Sequence, residues 1–422
     1  MYLNGSKWHV NKKRRPRSNP LRVLALLLLV AGAVYLERFV VPTVPPLFIP
    51  TLTPTRSAAS IVLEAESLYQ AGKLDQAEQA YQAAIQVDPQ QSALYVALAR
   101  VQVFAGKYQD AETNARDALL IDPNSAIANA VLAWALDFRA SDTTDSAESA
   151  SLLTESETQI GRALSLDPNS ALAKAYHAEI LMDAGDYAQA LEEAKAAVAA
   201  DPNLLEAQRA LGYVWERTDN PDQAIEAYQT ALRINPNLPI LYIALGDMYL
   251  KQGNTDQAVN SYLKASALAP TNTVPLSRIA LAYARVGEYG KASQYASNAV
   301  DQDPSNPRLH GDLGRMYYKN NDFPNAVSEL RLAIEGGQAS DGQRVQGLKL
   351  DPGDAKVVEL YYTYGLALAK NGQCEQAVPV FDALLHGVPD DDIATTNAYQ
   401  GLVICGEIQP TATPAGSGTP AP

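Results

Sequence analysis

The stretch "PILYIALGDMYLKQGNTDQAVNSYLKASALAP" (Pro239–Pro270) decides the fold. Leu241, Leu245 and Tyr249 recur at four-residue steps, which puts them on one stripe of a helix. Gly253 ends that helix, because glycine accepts the left-handed turn without a Cβ clash. Asp256 is placed to cap a second helix, with Ala258, Tyr262 and Ala265 on its inward side. Small residues there let the two helices approach closely, and Pro270 stops the second one. The stretch therefore reads as a helical hairpin with apolar surface that it cannot bury alone.

The same punctuation recurs along the chain. Pro89 and Pro123 are 34 residues apart, and so are consecutive members of the series Pro168, Pro202, Pro236, Pro270 and Pro304. Ala190, Ala224, Ala258 and Ala292 share that period, as do Ala163, Ala197, Ala231, Ala265 and Ala299. A fixed period of this length means hairpins that bury their faces by stacking on their neighbours.

These residues resemble the tetratricopeptide repeat family. Its pattern is matched best by Tyr242, Leu245-Gly246, Tyr249, Ala258, Tyr262, Ala265 and Pro270. Leu211-Gly212, Trp215, Ala224, Tyr228, Ala231 and Pro236 follow it as well. The first repeat carries Leu68, Ala77, Tyr81, Ala84 and Pro89, with Ala65 where the family prefers glycine. The expected fold class is all-α: a right-handed superhelical solenoid over residues 58–408, preceded by one transmembrane helix. About nine hairpins are expected, beginning near residues 58, 92, 126, 171, 205, 239, 273, 307 and 358. The helix "IATTNAYQGLVICGE" would cap the open end.

Two steps break the period. Pro123 to Pro168 is 45 residues, so eleven extra residues fall near "RASDTTDSAES". "EGGQASDGQRVQGLKLDPGD" is a Gly-rich insertion around residues 336–354. Both read as loops, either plain surface connections or extensions of a binding face.

Ahead of the repeats, residues 1–22 hold seven basic side chains and no acid. An apolar run then extends over 21–41, about the 20 residues that a spanning helix needs. The basic cluster places 1–20 as a cytoplasmic tail and everything after the span outside the cell membrane. A signal peptide cleaved near "AGA" (Ala31–Ala33) is the other reading of this segment. Residues 42–57, with five prolines from Pro42 to Pro54, read as a stiff spacer. Residues 409–422 read as a disordered Thr/Pro/Gly tail.

Composition restricts function. Net charge is −14, and without the seven N-terminal cations 26 basic residues face 47 acidic ones. A body that acidic argues against nucleic acid as a partner. His9, His177, His310 and His386 are scattered, and neither HExxH nor GxSxG occurs. No catalytic site, cofactor or metal is expected, and a site buried in the groove is the weaker alternative. Cys374 and Cys405 fall where the last hairpin and the cap would lie side by side. They read either as a disulfide in an oxidising compartment or as two buried free thiols.

The resemblance implies a concave groove lined by the first helix of each hairpin. Outward positions on those helices are Arg100, Trp134, Arg209, Tyr213, Asp247, Arg315, Tyr318 and Lys319. Tyr, Trp and Arg often anchor interfaces. Arg315 and Lys319, four apart, would hold an acidic segment or a chain terminus. The expected function is a membrane-anchored scaffold for protein or peptide partners. A non-catalytic accessory subunit of an envelope or polysaccharide-export enzyme is the alternative.

Overall fold

The computed structural model describes residues 19–40, 56–143 and 145–409. The basic tail, the proline-rich spacer and the C-terminal tail expected from the sequence lie outside these residues except at their edges. The chain divides into two units at Arg56/Ser57, each described by itself.

The first unit contributes one helix, α1 (Pro20–Tyr35), prolonged by a π-helical turn at Leu36–Val40. Asn19 caps its start by accepting from the Leu21 amide. By length and composition, Pro20–Phe39 is long and apolar enough to cross a membrane.

The second unit is an all-α solenoid of paired helices. Hairpins 1 to 3 are α2 (Ala58–Gln70) with α3 (Leu74–Val87), α4 (Ser92–Phe104) with α5 (Tyr108–Ile121), and α6 (Ala126–Asp142) with α7 (Ser146–Leu166). Hairpins 4 to 6 are α8 (Ala171–Asp183) with α9 (Tyr187–Ala200), α10 (Leu205–Arg217) with α11 (Pro221–Ile234), and α12 (Pro239–Lys251) with α13 (Thr255–Leu268). Hairpins 7 to 9 are α14 (Val274–Arg285) with α15 (Tyr289–Gln302), α16 (Pro307–Lys319) with α17 (Phe323–Ile334), and α18 (Ala355–Lys370) with α19 (Cys374–Gly387). A single helix, α20 (Asp392–Ile404), packs on both α18 and α19.

Local chemistry sets the junctions. In "DPNS" at 122–125, the Asp122 amide ends α5 on the Ala118 carbonyl. The Asp122 side chain accepts from the Asn124 amide at 3.2 Å, and its carbonyl accepts from Ser125. Ser125 then caps α6, its hydroxyl accepting from the Ala128 amide. Residues 167–170 repeat every one of these contacts. Asp-Pro thus closes one helix and starts a tight turn into the next.

Within hairpins, Gly253 turns the chain at φ 77°, and Asp219 and Asn321 do the same work at φ 62° and 60°. The cap after Gly253 is Asn254, which accepts from the Gln257 amide; Asp256, the expected cap, sits in the first turn instead. Gly246 explains the recurring Leu-Gly. A Cβ there would come within 2.5 Å of the Tyr262 ring, so only glycine lets that ring lie against the first helix. Gly212 meets Tyr228 in the same way.

Both insertions depart from the loops expected. Helix α6 has 17 residues and α7 has 21, against 13 and 14 in α4 and α5. The eleven extra residues therefore lengthen the two helices, because Ala, Ser and Glu in that segment sustain helical turns. The Gly-rich insertion forms a small ladder, β1 (Gly337–Gln338) pairing antiparallel with β2 (Arg344–Val345). It folds back on hairpin 8, with the Leu348 amide donating to the Ala333 carbonyl at 2.8 Å. Tyr361 of α18 donates to the Leu348 carbonyl at 2.9 Å, which ties the insertion into the ninth hairpin.

Candidate functional site

First helices stand side by side along the array, but not uniformly. α4, α6, α8 and α10 pack closely on one another, whereas α14, α16 and α18 touch only at points. The inner face of the array therefore differs between its two halves.

In the N-terminal half that face is filled. Trp134 of α6 is fully buried and stacks on Tyr176 of α8, with ring centroids 4.4 Å apart. Phe104 and Phe138 meet its ring edge-on at 5.3 and 5.6 Å. The Trp134 indole N–H donates to Glu179 Oε2 at 2.9 Å. Arg209 of α10 lies over the Trp134 ring at 4.9 Å and pairs with the same Glu179 oxygen. Arg100 of α4 pairs with Glu206 of α10, a buried carboxylate 106 residues away. Two asparagines close the far side. Asn235 Nδ2 donates to the Tyr69 carbonyl at 3.4 Å, and Asn237 Nδ2 donates to the Gln70 carbonyl at 2.7 Å. Hairpin 1 therefore touches the junction of hairpins 5 and 6. Even a methyl group on Gly72 would collide with Asn237.

Burial shapes the chemistry of this interior. Desolvation pushes the Glu179 carboxyl up to about 7, against the opposing pull of Arg209. Burial, and then the charge of Asp183, hold Asp137 well above the usual carboxylate range. Among the described residues, the Tyr176 hydroxyl, Glu179 Oε1 and Arg209 Nε are buried without a protein hydrogen-bond partner.

The sequence-based groove is therefore corrected in two places. Trp134 and Arg209 do not face outward; they are interior, because the turn of the solenoid closes over them. Arg100 is partly exposed and engaged by Glu206. Tyr213 is half-buried and donates to Asp183 at 2.5 Å. Asp247 accepts from the Tyr262 hydroxyl at 2.6 Å and lies 3.5 Å from Arg278.

The C-terminal half is more open. Arg315 pairs with Glu359 of the next first helix at 2.7 Å, and Arg308 pairs with Asp354 at 2.7 Å. Burial raises the Asp312 carboxyl above its usual range, against the pull of Arg315. Tyr318 is half-buried against Phe323, with the Lys370 ammonium 5.2 Å from its ring centre. Lys319 is exposed. Arg315 and Lys319 thus share a helix face, but Arg315 is already matched by a carboxylate of its own chain.

Cys374 and Cys405 form the disulfide, with Cα atoms 5.5 Å apart, and it pins α20 to α19. Among the described residues no group of three or more His, Cys, Asp or Glu side chains is placed to hold a metal ion. The all-helical repeat fold is consistent with a non-catalytic scaffold.

Glu179 and Glu206 were not singled out in the sequence. Glu179 is the ninth residue of its helix, the register of Arg100, Trp134, Tyr213, Asp247 and Arg315 in theirs. That register was a usable signal, interrupted by the 45-residue step. Nothing comparable marked Asn235 or Asn237.

Family models described as tetratricopeptide repeat match residues 68–135, 145–204, 177–239, 227–260 and 277–342. A model described as TPR repeat matches 246–287. No curated protein matches the chain in sequence. Among the solved structures similar to it is the crystal structure of the APC/C hetero-tetramer Cut9-Hcn1. It is 15% identical, with a TM-score of 0.55 over 83% of this chain and 78% of that one. That likeness concerns the fold alone.

Proposed function

This chain belongs to the tetratricopeptide repeat family, and on that premise we propose that it is a membrane-tethered scaffold binding protein or peptide partners on the inner face of its repeats. The observation that carries this reading is the C-terminal half of that face. There the first helices stand apart, and Arg308, Lys319, Lys356 and Lys370 are exposed beside Arg315 and Tyr318. Cations around an aromatic ring suit an acidic partner segment, which would compete with Glu359 and Asp354 for their arginines. In-cell crosslinking of the full chain tests it. Arg315→Ala with Lys319→Ala should abolish capture of a discrete partner set while helicity by circular dichroism is kept. Unchanged capture would move the site elsewhere.

The tether is the helix Pro20–Phe39, with the basic residues before it on the cytoplasmic side and the repeats outside. The Cys374–Cys405 disulfide supports an oxidising location for the repeats. Retention in membranes after carbonate washing, with the repeats open to protease added outside spheroplasts, is the expected result. Release by carbonate would favour a cleaved signal.

A further inference from the structure

The turns that join helices in hairpins 1 to 3 border a trough that shares no residue with the Arg315–Tyr318 face. We propose that this trough binds a partner segment that seats apolar side chains in its wider part and a lysine or arginine at its hairpin 3 end. The proposal gives the scaffold a second docking surface, independent of the first.

Two adjoining cavities make the trough. The larger, about 730 Å³, lies between the turns after α2 and α4 on one wall and the start of α12 with the α13–α14 junction on the other. Leu74, Phe104, Ile240, Ile243, Leu268 and Val274 line it with apolar surface, and Val274 is 44% exposed. The smaller, about 370 Å³, continues past Gly106, Lys107 and Tyr108, which line both. Its far wall is Arg139, Asp142, Thr143 and Glu148. These lie in the part of hairpin 3 that the eleven inserted residues add, since α6 runs 17 residues where α4 runs 13. The walls are fixed to each other. Phe104, Leu238 and Leu241 belong to one buried apolar cluster, and Asn237 bonds the Gln70 carbonyl. The trough is therefore open as it stands, and an entering segment meets a surface already in place.

Charge names the occupant. Lys107 is held by Asp75 and Glu78, and Arg139 by Glu112 and Glu148. Asp110 and Asp142, exposed on the smaller cavity, are paired with no cation among the described residues. Helices α4 and α6 also end at the trough, at Phe104 and Asp142, and add the negative ends of their dipoles. The exposed Lys73 lines only the larger cavity, so the unmatched negative charge belongs to the hairpin 3 end. An apolar run followed by a basic residue complements both parts.

The test uses the full-length chain in phosphatidylcholine nanodiscs, with empty nanodiscs as the blank, and reads fluorescence anisotropy of labelled hexapeptides. The probes are Leu-Phe-Val-Ser-Arg-Arg, Leu-Phe-Val-Ser-Glu-Glu and Gly-Ser-Gly-Ser-Arg-Arg. Only the first should bind saturably. Asp110→Asn with Asp142→Asn should weaken it about tenfold, Val274→Arg at least as much, and Arg315→Ala with Lys319→Ala should leave it unchanged. No saturable binding of the first peptide overturns the site. Equal binding of the second overturns the basic occupant, and equal binding of the third overturns the apolar one. Binding unmoved by the two asparagines overturns the carboxylate anchor, and binding that survives Val274→Arg overturns the placement in the trough. If Val274→Arg loses helicity, Thr271→Arg, exposed on the same wall, decides in its stead. Loss with Arg315→Ala and Lys319→Ala instead would put the peptide on the inner face and overturn the trough. The assay needs no cellular partner, so a failed trough leaves the Arg315–Lys319 crosslinking result standing.

Discussion

Arg100 and Glu206 are 106 residues apart in sequence and bonded in space, joining the second hairpin to the fifth across the inside of the solenoid. Glu206 is 1% exposed, while the Arg100 side chain keeps 34% of its surface in solvent. Removing the arginine leaves a buried carboxylate unpaired. Arg100→Ala is expected to destabilise by about 3 kcal/mol, the low end for a broken buried pair because one partner is part-solvated. Arg100→Met with Glu206→Leu should recover most of that loss. A double-mutant cycle by urea unfolding checks both.

Trp134→Ala should cost about 3–5 kcal/mol, as expected for a large aromatic removed from a packed interior. The loss reaches further than packing, because Glu179 keeps Arg209 but loses the indole donor. Thermal unfolding followed at a hairpin 3–5 probe reads it. A cost below about 1 kcal/mol would mean that the ring is solvated rather than interior.

The two glycines of hairpin 6 fail differently. Gly246→Ala forces a methyl into the Tyr262 ring and should cost about 1–3 kcal/mol, largely relieved by Tyr262→Leu. Gly253→Ala meets open space and strains only the backbone at φ 77°, at about 1 kcal/mol, with no rescue by Tyr262→Leu. Paired melting curves separate the two causes.

His310 gives stability a pH dependence. Its Nδ1 faces Glu329 Oε2 at 2.6 Å and its Nε2 faces the Pro304 carbonyl at 2.9 Å, so both nitrogens meet acceptors, an arrangement that favours the doubly protonated ring. Burial alone would lower its pKa; the bonds to Glu329 and Pro304 outweigh burial and raise it. The folded value lies above the unfolded one of about 6.5, so the stabilisation is complete below about 6.5 and is lost as pH rises through the folded value. Asp137 and Glu179, also raised, act in the same direction. The difference between wild type and His310→Gln across pH 5–9 therefore isolates the imidazole, and that difference should shrink as pH rises.

Reducing Cys374–Cys405, which closes 31 residues of chain, should cost about 3 kcal/mol. The effect should be confined to the end of the array. Hydrogen exchange should quicken in α20 and leave hairpins 1 to 6 unchanged. Uniform quickening along the chain would show that the cap supports the whole solenoid.

Local chemistry made much of this protein legible in its sequence. The 34-residue period, the helix ends at Gly253 and at Asp122-Pro123, and the partnership of Cys374 with Cys405 all depend on contacts within one hairpin or with its neighbour. The family's small and aromatic residues mark those contacts directly, as Gly246 against Tyr262 does. Nine hairpins and a cap were readable among the described residues for the same reason.

The inner face was not readable, because it depends on a quantity that no single repeat encodes. The rotation from one hairpin to the next accumulates, and the lengthened helices α6 and α7 enter that sum in the middle of the first turn. Only their total brings Tyr69 to Asn235 and Arg100 to Glu206. An outward position in the repeat pattern, such as Trp134, then becomes interior. Sequence period determined which residues pair within and between adjacent hairpins; the summed geometry of the solenoid decided which of its surfaces water reaches.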